Sequence, residues 1–122
     1  GMQGAIPTQY DLFLFEPRYR LMMDTLLAQH PIAARHGNLI EPPVYFLHAY
    51  AGLNTNTTNN SGSISPPALL VQVQECNMLP DGSCSVTLVT KWFTHLEKVW
   101  VLRNSGHLYY ADAVKVRPAA ED

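Results

Sequence analysis

The side chains best suited to chemistry in this chain are five histidines and two cysteines, and their spacing argues against a catalytic or metal centre. His30 and His36 are separated by a proline and a polar stretch, while His48, His95 and His107 fall on separate strand-like segments. Metal sites in single domains rely on H-x-x-x-H helix pairs or Cys/His knuckles, and the sequence contains neither. No metal and no cofactor is therefore expected. Cys76 and Cys84 form no C-x-x-C pair. They are expected on opposite faces of a hairpin, each acting as a small hydrophobe. Ser61-Gly62-Ser63 does not make the G-x-S-x-G elbow that presents a nucleophilic serine. The seven glycines are dispersed, so no phosphate-cradling loop forms. The chain is not expected to be an enzyme.

A different chemistry is suggested by residues 91–117. Lys91, Lys98, Arg103, Lys115 and Arg117 are interleaved with Trp92, Phe93, Trp100, Tyr109 and Tyr110. Cations among aromatics are what single-stranded nucleic acids bind. The same alternation also arises when a β-meander sends aromatics inward and charges outward, and the formal net charge of −2 disfavours a protein built to neutralise phosphates. Nucleic acid is the lesser expectation.

The elements that must position these residues can be read from periodicity. Tyr10-Asp-Leu-Phe-Leu-Phe15 reads as a short strand. Pro17 suits the first helical position, and Glu16 puts negative charge at the positive end of the helix dipole. At 100° per residue Tyr19, Met22, Met23, Leu26 and Leu27 share one arc, with Leu21 on the opposite side near Ala28. His30-Pro31 ends the helix. Residues 44–47 read as a second strand. Residues 51–67, rich in Asn, Thr and Ser, read as a low-complexity loop inserted within one domain spanning 1–122.

Strands at 69–78 and 84–93 flank Leu79-Pro-Asp-Gly-Ser83, a hairpin signal. Bringing Leu69, Val71 and Val73 onto the face of Val86, Leu88 and Trp92 requires partners whose numbers sum to an odd value, such as Leu79 with Cys84. That register predicts a two- or four-residue loop. A second hairpin, 97–103 and 107–116, turns at Asn104-Ser105-Gly106. One helix cannot cover a flat sheet of this many strands, so a curled sheet or partial barrel is expected.

Apolar residues make up 47% of the 122 residues and charged ones 15%, a composition that folds into a cored domain. No run reaches the ~18 apolar residues of a membrane span. No signal peptide is visible either. With unpaired cysteines, this predicts an intracellular, cytoplasmic protein. The sequons at Asn56 and Asn59 are chance products of the Asn/Thr tract.

With the motifs placed, Phe15-Glu-Pro-Arg-Tyr-Arg20 running into Leu21-Met-Met-Asp-Thr-Leu-Leu27 resembles the signature of the Lon protease amino-terminal domain family. Ala68 to Phe93, centred on the Leu-Pro-Asp-Gly turn, is similar to the family's strand–turn–strand. The resemblance covers about residues 10–116. It implies a mainly β, PUA-like curled sheet or pseudobarrel with one amphipathic helix packed against it. It also implies a role in binding unfolded or degron-bearing protein substrates, in proteins that join the domain to ATPase/protease or RING regions. PUA-like folds also serve RNA, which makes an RNA-binding domain the alternative function. Glu16, Pro17, Arg18, Tyr19 and Arg20 then read as a structural strand–helix corner. In it Glu16 can pair with Arg20, and Arg18 reaches a carbonyl or carboxylate of the barrel. Trp100 and Tyr109, with Leu21 as a lesser candidate, are expected to present a protein-binding face.

Overall fold

The computed structural model describes residues 8–28, 39–49, 66–101 and 108–119. The elements run β1 (Gln9–Leu14), α1 (Pro17–Ala28), β2 (Leu39–Ala49), β3 (Pro67–Met78), β4 (Cys84–Val101) and β5 (Tyr109–Pro118). They form a mainly β fold, an open five-stranded antiparallel sheet of order β1-β4-β3-β2 with β5 also paired to β4. Of the loop expected at 51–67, residues 51–65 lie outside the described residues, whereas Pro67 already opens β3. The turn expected at 104–106 lies outside them too, as do His30, His36, Leu102, Arg103 and His107.

Helix α1 follows its sequence pattern. The Glu16 carbonyl accepts from the backbone N–H of Tyr19 and Arg20 at 3.0 and 3.1 Å, and Pro17 occupies the first turn, where no backbone donor is needed. Met23 is fully buried, with Tyr19, Met22, Leu26 and Leu27 packed beside it, while Leu21 points to solvent. The helix thereby covers one face of the sheet, where Leu14, Val44, Leu69, Val71, Val73, Cys84, Val86 and Leu88 form the main core.

The 18-residue β4 organises everything else. The segments expected at 84–93 and 97–103 are one strand, because Thr94-His-Leu96 carries no turn chemistry and the chain bends through bulges instead. β3 runs along one edge of β4. The other edge is shared end to end: β1 pairs with residues 84–89 and β5 with residues 92–101. The two abut at the middle of β4. There the Thr90 N–H donates to the Thr8 carbonyl at 2.7 Å, and the Ala119 N–H donates to the Lys91 carbonyl at 3.0 Å.

The expected hairpin register holds only in part. Val73↔Leu88 and Val71↔Thr90 keep the odd sum, but nearer the turn Met78 pairs with Cys84 and Cys76 with Val86. The loop has three residues, not two or four: Gly82 N–H donates to the Leu79 carbonyl at 2.9 Å and Leu79 N–H to the Ser83 carbonyl at 2.8 Å. Gly82, at φ +92°, takes the left-handed position that a three-residue hairpin requires. A bulge at Gln74 then restores the register that aligns the valines. One consequence corrects a second expectation: Cys76 and Cys84 share the helix-facing side of the sheet and do not lie on opposite faces.

A further bulge at Lys91 reverses the side of β4 that is buried. Before it, Val86, Leu88 and Thr90 face the helix. After it Leu96, and beyond another bulge at Glu97 also Val99, join Ala68, Leu47, Ala49, Tyr109 and Ala111 in a second core on the opposite face. Trp92, expected beside Leu88, therefore pairs with Leu70 on the face away from the helix. In this second region Thr94 stays buried by donating its hydroxyl to the Ala68 carbonyl at 2.8 Å.

Candidate functional site

The residues around the Lys91 bulge come together as a groove. Tyr45 of β2, Leu70 of β3, Lys91 and Trp92 of β4, and Lys115 of β5 line a depression of about 360 Å³ on the face away from the helix. The register explains the assembly. Leu47, Leu70, Trp92 and Pro118 form one row across four strands, and Tyr45, opposite Gln72, stands beside it. A bulge at Val116 on β5 brings Lys115 opposite Thr94, and its Nζ lies 4.9 Å from the centre of the Trp92 ring. Tyr45 remains 43% exposed, so an aromatic face is open to solvent beside two ammonium groups, and none of the five lining residues is acidic. The arrangement can hold an apolar or aromatic group against Leu70 and Trp92 while an anionic group meets a lysine. It provides no nucleophile and base pair.

The residues expected to bind protein do not share a surface. Trp100 stacks on Tyr110 at 6.3 Å, with Lys98 over its ring at 5.7 Å. Tyr109 pairs with Val101 on the other side of the same ribbon and packs into the second core. Leu21 is 43% exposed on α1, away from the core stripe. Interleaving of lysine and tryptophan was the sequence signal for the groove. Tyr45 gave none, because only the sheet order brings β2 close to Trp92.

The corner motif is occupied as follows. Arg18 Nε donates to Glu16 Oε1 at 3.0 Å, and its guanidinium sits 4.8 Å from the centre of the Tyr19 ring. Glu16, expected to pair with Arg20, thus pairs with Arg18. Arg20 packs instead under the β3–β4 turn, where a Cβ on Gly82 would lie 2.8 Å from its Nε. Asp81 accepts from the Ser83 hydroxyl at 2.6 Å and the Ser83 N–H at 2.9 Å. Those bonds, with a smaller contribution from the charge of Arg20, hold its carboxyl below the usual range.

On the helix-facing side Tyr10 Oη and His48 Nδ1 are 2.6 Å apart, and their rings are stacked at 5.6 Å. Tyr10 belongs to β1 and His48 to β2, the two ends of the sheet path, so the bond shows how far the sheet curls. Burial pushes the Tyr10 phenol up to about 12 and the His48 imidazole below its ordinary value. His95 Nδ1 is buried without a hydrogen-bond partner among the described residues. Among those residues no group of three His, Cys, Asp or Glu side chains could hold a metal ion, and no helix is long and apolar enough to cross a membrane.

Fold and groove together describe an open, curled antiparallel sheet with one helix on one face and an aromatic, cationic depression on the other. Comparison of the chain with family models, curated proteins and solved structures returned no match.

Proposed function

We propose that this domain is a non-catalytic protein-binding module that takes unfolded or degron-bearing segments, as the resemblance to Lon amino-terminal domains implies, and that it works in the cytoplasm, the setting its unpaired cysteines suit. The groove of Tyr45, Leu70, Lys91, Trp92 and Lys115 is the observation that carries the reading. Its apolar floor and paired ammonium groups suit a segment presenting an aromatic or aliphatic side chain next to a carboxylate. Partially exposed aromatics in a shaped depression are the usual anchors of such contacts.

The test is capture of a reduced, alkylated and permanently unfolded protein by the purified domain. Trp92→Ser and Lys115→Glu are expected to weaken it about tenfold or more, the range of an anchor residue. Trp100→Ser, away from the groove, is expected to leave it unchanged. Equal capture by all variants at unchanged melting temperature would refute the groove as the seat. RNA is the second reading, favoured by the lysine held over Trp92. A single-stranded oligonucleotide bound through the same lysines would dissociate steeply with added salt. An apolar peptide contact would not.

A further inference from the structure

Cys76 and Cys84 are free, and the register brings them together. Cys76 stands opposite Val86 and Cys84 opposite Met78, so the two cysteines are diagonal neighbours on the helix-facing side. The Leu79 N–H to Ser83 carbonyl bond at 2.8 Å sets the alternation of the ladder. Counting from it, both pairs are of the non-hydrogen-bonded kind, in which side chains approach most closely. The right-handed twist of the ribbon shortens one of the two diagonals between such pairs. Cys84 is fully buried, whereas Cys76 is only partly covered. The thiols interact: the hydrogen bond from Cys76 to Cys84 holds the Cys76 proton in place and eases the loss of the Cys84 proton. Burial and then the Asp24 carboxylate of α1 reinforce the rise at Cys76.

We propose that Cys76 and Cys84 are a reversible oxidation site, closed by hydroperoxides into a disulfide that staples the β3–β4 hairpin. In the first step Cys76, the more accessible of the two, loses its proton and its thiolate attacks the peroxide oxygen, the released proton passing to the departing hydroxide. The O–O bond breaks, and a sulfenic acid and one water result. In the second, the Cys84 thiolate attacks the Cys76 sulfur and the S–O bond breaks. The departing hydroxide takes up the proton lost by Cys84 and leaves as a second water. Two thiols and one hydrogen peroxide thus give one disulfide and two waters, with both sulfurs oxidised and the peroxide reduced. A dithiol reductant reverses the closure. Because the Cys76 proton is held tightly, closure is slow at neutral pH and accelerates as pH rises.

The experiment treats the purified chain with hydrogen peroxide, quenches it, and alkylates the remaining thiols in denaturant before mass analysis. The expected product has lost two hydrogens and is alkylated at neither cysteine. Digestion yields a peptide joining residues 76 and 84, and dithiothreitol restores both thiols. Two alkylatable cysteines after prolonged treatment, separate sulfinic acids, or a disulfide between two copies of the chain would each overturn the proposal. Cys84→Ser is expected to abolish the loss of two hydrogens and leave Cys76 to proceed to sulfinic acid.

Discussion

Arg20 and Gly82 illustrate how much of this structure is decided by single side chains. The turn requires a left-handed residue at position 82, and the guanidinium of Arg20 fills the space in which any Cβ would stand. Gly82→Ala is therefore expected to destabilise the domain by about 1–3 kcal/mol in urea unfolding. Combining it with Arg20→Ala should recover the part due to crowding but not the part due to φ, so the two substitutions will not be additive. The Tyr10–His48 pair gives a pH dependence of definite sign. His48 titrates lower in the folded protein than its ordinary 6.5, so stability is complete above that value and falls as pH drops through the folded value. Tyr10 titrates higher, at about 12 against 10.0, so stability is complete below 10.0 and falls as pH rises toward 12. Melting temperatures across pH 5 to 8 in the parent and in His48→Gln check the acid limb, which the substitution should flatten. Neither residue's partner was legible in the sequence, since they are 38 positions apart and meet only because the sheet curls.

At the scale of elements, the helix was readable and the long strand was not. Five positions of α1 lie on the arc that their spacing prescribes, because a helix has one geometry and its stripe cannot slip. A strand is different: one extra residue reverses the face of all that follows, and a bulge needs no Gly or Pro to mark it. Lys91 is such a residue. Strict alternation places Trp92 with Leu88, whereas the bulge puts it in the groove and turns Leu96 toward a second core, and a further bulge at Glu97 keeps Val99 on that same side. The groove stayed hidden for the same reason, although its lysines and tryptophan stood out. Deleting Lys91 is expected to restore alternation and point Leu96 and Val99 out of their core. The loss should exceed about 3 kcal/mol, since each buried aliphatic contributes roughly 1.5–3 kcal/mol. Guanidinium unfolding of the deletion variant measures it, and a stability near that of the parent would show that the second core contributes little.

For the molecule as a whole, mainly β architecture with one covering helix was legible because strand-forming segments and turn signals dominate the second half of the sequence. How those strands share edges was not, since β1 pairs with residues 84–89 from the far end of the chain. That arrangement has a consequence in time. The edge of β4 that receives β1 does not exist until β4 is held by β3, and their hairpin closes through a loop of three residues. The long closure joining β1 to β4 is paid in chain entropy only after a template is available. The transition state for folding is thus expected to contain the β3–β4 hairpin with β1 still detached. Val73→Ala should slow folding in stopped-flow chevrons, whereas Leu12→Ala should chiefly hasten unfolding. The seam where Thr8 and Ala119 meet on β4 is then the last part of the sheet to close and the first to open, and its amides should exchange with solvent ahead of those at Val71 and Val73.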